Sequence, residues 1–227
     1  MKTRDFILLI CLLLSTEFSN SQERKEYFQF LTEIRTKRDS FQQVFEASNT
    51  LEKDSIIQTA RNYLIDKVAD ELFPYWYGTQ WDFNGTTRTP KKGTIACGYF
   101  VTNTLTDIGF DIPRIKWAQS ASEVFIKKLA PQQLKRFSNK SIGVVKDYLL
   151  QSGNGLYLVG LDSHTGYIYV NNGSVRFIHA DYFEPEKGVV SEKLDSHSPI
   201  FYSSYRVIGK LFSDEMVTKW ITKRPIR

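Results

Sequence analysis

Cysteine is nearly missing from this chain. Two occur in 227 residues, Cys11 and Cys97, beside only three histidines. Long apolar runs are missing as well: the stretch from Phe6 to Leu14 is too short to span a bilayer comfortably, and no later segment approaches that requirement, which argues against stable membrane insertion. Lys and Arg are scattered, so the formal charge of +5 suits acidic envelope partners but offers no run for a nucleic-acid site. Repeats and low-complexity tracts are absent. With 41% hydrophobic and 14% aromatic residues, the chain has enough apolar material for one globular domain and is a poor fit to disorder.

What is present begins with an export signal. Lys2 and Arg4 precede the apolar run, and Ser19-Asn20-Ser21 offers a small-x-small cleavage pattern, so residues 1–21 read as a secretory signal peptide. Cleavage removes two basic and two acidic residues, leaving the charge at +5, and also removes Cys11. Cys97 is then unpaired in a compartment where thiols normally pair. Two readings follow: a reactive thiol, or an inert buried one.

Residues 22–55 read as a helical N-terminal extension, with apolar spacing at Phe28, Leu31, Ile34, Phe41 and Phe45 in one helix or a helical pair. Asn49 and Glu52 form a capping box for the next helix, which Pro74 is expected to end. Cys97 opens a further helix that Gly109 and Pro113 stop; more helices are expected near 119–129, 143–151 and from Ser213. Strands are expected at 156–161, 164–171, 174–180 and about 200–211. Helices first and an antiparallel sheet after make an α+β domain over residues 56–227.

The stretch from Leu161 to Tyr182 holds His164 and His179 on two arms of one hairpin. If Asn172-Gly173 is a two-residue type I′ turn, Val170 faces Val175, Ile168 faces Phe177 and Gly166 faces His179. Both histidines then share one face as diagonal neighbours, whereas a three-residue loop would put them on opposite faces. Cys97 at a helix start is favoured as thiolate by the helix dipole and first-turn N–H groups, and a nearby histidine would add to this. Thiolate, base and orienter are the parts of nucleophilic attack on an amide, with the Cys97 N–H facing the oxyanion. His164 is the candidate base and His179 its orienter; Asp181 and Asp162 are alternative orienters. For a lone histidine, a satisfied place at a sheet end is the plainer explanation. His197 reads as a surface-loop residue.

The order of cysteine helix, H-x-G strand and I-H-A strand resembles the NlpC/P60 cysteine peptidases, a papain-like group that cuts bacterial cell-wall peptides. Ser163-His164-Thr165-Gly166-Tyr167-Ile168-Tyr169 is similar to the family's S-H-V-G-I-Y strand, and Phe177-Ile178-His179-Ala180 to its F-I-H-A. Pro74-Tyr75-Trp76-Tyr77-Gly78-Thr79 is similar to the P-Y-x-W-G-G before the nucleophile; by that likeness Tyr75 helps shape the oxyanion site, with Gly98 and Trp81 as further oxyanion or substrate-binding candidates. The similarity spans residues 56–211. The family's D-C-S-G is replaced by Ala96-Cys97-Gly98-Tyr99, and the loop from Thr79 to Cys97 is longer, which bears on how a substrate's free amine is held.

The resemblance implies a papain-like fold and a Cys97–His164–His179 triad acting through an acyl-enzyme without metal or cofactor. It also implies a secreted or periplasmic monomer whose partner is a peptidoglycan peptide or another cell-envelope substrate. Two alternatives keep the same fold: acyl transfer to or from lipids, and a binding protein with a retired or zinc-filled site made from Cys97, His164 and His179.

Overall fold

The computed structural model describes the backbone of residues 3–227 and the side chains of 22–227, so the expected leader lies outside the residues whose side chains are described. Two long helices open the chain: α1 (Thr3–Ala47) and α2 (Thr50–Asp66). Between them Asn49 accepts from the N–H groups of Leu51 and Glu52 while Glu52 accepts from the Asn49 N–H, which is the expected capping box. Segment 22–47 belongs to one helix rather than a pair.

Pro74 does not end the second helix. A π turn (Lys67–Leu72) leads into α3 (Phe73–Trp76), and the Phe73 N–H reaches back to the Val68 carbonyl. The wider turn accommodates a ring that would otherwise clash with a carbonyl one α-turn earlier. There follow α4 (Cys97–Asp107), α5 (Arg114–Ala118), α6 (Ser122–Leu129), β1 (Leu134–Ser138), α7 (Ile142–Ser152), β2 (Gly155–Leu161), β3 (Thr165–Asn171), β4 (Ser174–Ala180), β5 (Val189–Lys193), α8 (Pro199–Tyr202), β6 (Tyr205–Lys210) and α9 (Asp214–Ile221). Ser213 caps α9 by accepting from the Met216 N–H.

The architecture is α+β. One six-stranded sheet runs in the order β1-β6-β2-β3-β4-β5, with every neighbouring pair antiparallel. Period-two alternation splits its side chains between two cores. Leu156, Leu158, Tyr167 and Ile178 join a core that also holds Tyr27, Phe30 and Ile34 of α1, Leu64 of α2 and Phe100 of α4. Tyr157, Val159, Ile168, Val175 and Phe177 join another with Val145 and Leu149 of α7. Among the described residues no helix is long and apolar enough to cross a membrane.

Strands β1 and β5 were not expected. Both lie at sheet edges and carry charged residues, Lys135 and Arg136 in one and Glu192 and Lys193 in the other, which masks the apolar pattern of a strand. The strand expected at 200–211 is shorter, because residues 199–202 form α8 first.

Candidate functional site

The β3–β4 turn is the two-residue type I′ form. Asn172 and Gly173 have φ of 47° and 80°, and the register pairs Asn171 with Ser174, Val170 with Val175 and Ile168 with Phe177. His164 and His179 therefore share a face, both buried at 4% and 0% exposure. Gly166 makes their approach possible: a Cβ there would stand 2.9 Å from that of His179 and 2.7 Å from the Ile178 carbonyl oxygen.

His164 Nε2 lies 3.0 Å from His179 Nδ1, and His179 Nε2 lies 2.9 Å from Glu192 Oε1. The carboxylate only accepts, so with both rings neutral it fixes the tautomers along the chain. His179 must donate from Nε2 to Glu192, which leaves its Nδ1 as acceptor; His164 must then donate from Nε2, which leaves its own Nδ1 unprotonated. That free nitrogen is the one able to take a proton from a thiol. Phe177 stacks on the His179 ring at 4.1 Å between centroids.

Cys97 and His164 line one cavity of about 580 Å³, together with Gly98, Asp162, Glu123 and Tyr205. The thiol is within hydrogen-bond reach of the backbone N–H groups of Gly98 and Thr165, the latter being the residue after His164. Gly98 is required by packing, since a Cβ there would stand 2.2 Å from the Ala118 carbonyl oxygen of α5. Burial pushes the thiol pKa above the ordinary 9.0, outweighing the backbone N–H groups of Thr165, Gly98 and Cys97 that draw it down. Burial, and His179 beside it, push His164 well below 6.5. Both directions favour a neutral thiol and a neutral imidazole at rest, against the thiolate expected from the helix start.

Three of the other candidates are engaged by other partners. Tyr75 packs its ring on Tyr27 and Phe30 of α1, outside the cavity lining, because α3 turns that side chain toward the N-terminal helix. Asp181 accepts from the Phe183 N–H and shapes its own loop. Asp162 borders the cavity but accepts from Ser203 Oγ and from the N–H groups of Ser204 and Tyr205. Neither aspartate orients His164. Trp81 stands one ring away: its ring is 6.0 Å from Tyr182, whose ring is 5.0 Å from His164. The loop holding Trp81 is tied to β5 through the Gly78 N–H to Val189 and the Val189 N–H to Thr79, and to the loop before β5 through the Trp81 N–H to Pro185.

Glu192 is the functional residue that sequence reading missed. The signal exists, since Glu192 pairs with Phe177 and so shares the face of His179, but only once β5 is recognised. His197 is exposed, as expected of a loop residue. Comparison with protein-family models, curated proteins and solved structures finds no match, so the site stands on its geometry.

Proposed function

We propose that this protein is an exported, papain-like cysteine amidase or endopeptidase of NlpC/P60 type, acting on peptidoglycan stem peptides. The observation that carries this reading is the hydrogen-bonded chain Glu192–His179–His164, whose last imidazole lines the same cavity as Cys97. A neutral pair suits the task. Substrate binding excludes water, Cys97 passes its proton to His164 Nδ1 as sulfur attacks the amide carbon, and the Cys97 N–H at the start of α4 faces the developing oxyanion. His164 then gives that proton to the departing amine, leaving a thioester. Water, deprotonated by His164, attacks the thioester and returns the thiol.

The carboxylates bordering the cavity are already committed. Asp162 holds the chain after α8, and Glu123 is ion-paired with Lys127 and Arg136 and accepts from the Tyr205 hydroxyl, which keeps it ionised down to about 2. With Ala96 where the family carries Asp, the site has little to grip a free amine. Cleavage should accordingly depend less on an unblocked N-terminus than in typical members.

A zinc site from the same three residues conflicts with the geometry, because His164 Nε2 and His179 Nδ1 are turned to each other. Incubating the exported form and its Cys97→Ala variant with digested peptidoglycan and with intact sacculi, followed by mass spectrometry, tests the proposal. New amide-cleavage products from the unmodified enzyme alone support it. No cleavage, with activity on acyl esters, would replace it with acyl transfer.

A further inference from the structure

Beyond Tyr182, the ring that touches His164, the surface continues as aromatic side chains. Tyr182 meets Phe183 at 4.9 Å between centroids, Phe183 meets His197 at 5.9 Å and Tyr202 at 6.2 Å, and Tyr202 meets Phe201 at 5.0 Å. These residues come from two separate loops and α8, so their assembly is a product of the fold.

The shelf is built rigidly. Arg206, a charged residue only 2% exposed, donates from Nε and Nη2 to the carbonyl oxygens of Ile200 and Phe201, so a buried guanidinium fixes the four-residue helix that displays Phe201 and Tyr202. Asp162, on the cavity border, fastens the residues directly after that helix. The shelf and the catalytic cavity are thus held in fixed relation. Burying a guanidinium is costly unless its donors are satisfied, and here Nε and Nη2 hold this short helix while Nη1 donates to the Lys140 carbonyl oxygen.

Exposure and charge narrow the occupant. Phe183 and Phe201 are 38% and 39% exposed and Tyr202 55%, so each is partly covered by the protein and partly open to a ligand; Phe83, at 79%, lies outside this chain of ring contacts. The rings of Tyr182, Phe183, Phe201 and Tyr202 are uncharged, which suits a ligand that is uncharged as well, apolar on its flat side and polar at its edges. A contiguous exposed patch of this kind beside a catalytic cavity marks a binding site.

We propose that this aromatic shelf is a saccharide subsite, stacking an uncharged pyranose of the glycan to which the scissile peptide is attached. The proposal rests on the peptidoglycan reading for its biological meaning, but its test does not need turnover. Binding of an N-acetylglucosamine tetramer, which has no peptide, is measured calorimetrically on the full-length Cys97→Ala protein, alone and with Tyr202→Ala or Phe83→Ala added. Tyr202→Ala is expected to weaken binding about tenfold, the scale of one lost ring stack in a small ligand, and Phe83→Ala to leave it unchanged. No binding by the parent protein, or equal binding by Tyr202→Ala with an unaltered melting temperature, overturns the subsite. Tyr202-dependent binding to anionic phosphatidylglycerol vesicles in place of the sugar would overturn it in favour of a membrane contact. Sugar binding without any amide cleavage would retain the subsite and reject the hydrolase; cleavage without sugar binding would do the reverse.

Discussion

Glu192 differs from the other site residues in that its value lies in the lone pairs it offers and the proton it lacks. An acceptor at the end of the chain sets the tautomer of two rings in succession, and only one of the resulting arrangements leaves His164 Nδ1 free. Replacing Glu192 by Gln introduces a group that can accept or donate, so part of the population holds both rings in the wrong tautomer. Peptide cleavage by Glu192→Gln should fall by about tenfold, as for other groups that orient a functional imidazole. His179→Asn should keep measurable activity, while His164→Ala should lose about a thousandfold or more, within the range for a general base. Steady-state rates on a stem-peptide substrate order the three variants; equal losses would mean that the chain does not act as drawn. The neutral resting pair makes a second statement at this scale. Iodoacetamide should label Cys97 slowly at pH 6 and faster as the pH rises past 9, in contrast to an ion-paired thiolate, whose labelling is already fast at pH 6. Stability has the matching sign. Because the folded His164 pKa lies below the unfolded value near 6.5, the unfolded state gains a proton first on acidification, so stability present above that pH is lost as pH falls below it. A melting temperature that drops between pH 7 and pH 5, and drops less in His164→Gln, is the expected result.

Elements show why the hairpin was legible and the rest of the site less so. Asn172-Gly173 determines its turn almost unaided, since two consecutive residues with positive φ are needed there, and the turn determines the face on which each histidine stands. The capping box at Asn49 and the cap at Ser213 were legible for the same reason: the deciding contacts lie within four residues. Tyr75 failed because its partners are on α1, almost fifty residues earlier, and no local pattern records that packing. Glu192 failed because an edge strand with two charges does not look like one. Gly166 and Gly98 carry the element-scale prediction. Alanine at either position must push backbone, at 2.7 Å from the Ile178 oxygen or 2.2 Å from the Ala118 oxygen. Gly166→Ala should separate the imidazoles and abolish cleavage while the far-ultraviolet spectrum is retained; a fully active Gly166→Ala enzyme would show that the pair is not needed in this geometry.

At the scale of the molecule, α1 and α4 share buried chemistry as well as apolar contact. Tyr27 donates to Asp107 Oδ2 at 2.6 Å, Trp76 Nε1 donates to the Tyr27 hydroxyl at 3.2 Å, and Arg88 donates to Asp107 Oδ1 and Asn103 Oδ1. Asp107 and Asn103 both stand on α4, and Arg88 comes from the loop that precedes Cys97, so one network joins the N-terminal helix, that loop and the helix whose first residue is Cys97. Burial, with Asp107 beside it, pushes the Tyr27 hydroxyl far above its ordinary value, so it remains a donor at any working pH. Removing that hydroxyl in Tyr27→Phe conserves ring volume, takes one donor from a buried carboxylate and leaves the Trp76 N–H without an acceptor, a loss of about 1–3 kcal/mol. For a chain of this length that lowers the melting temperature by roughly 2–4 °C per kcal/mol. If the network also holds Cys97 in register with His164, the variant should lose catalytic rate at a temperature where it is still fully folded. Calorimetry and single-turnover kinetics at 20 °C, compared on the same preparation, distinguish a positioned helix from a merely stabilised one, and an unchanged acylation rate would assign Tyr27 to stability alone.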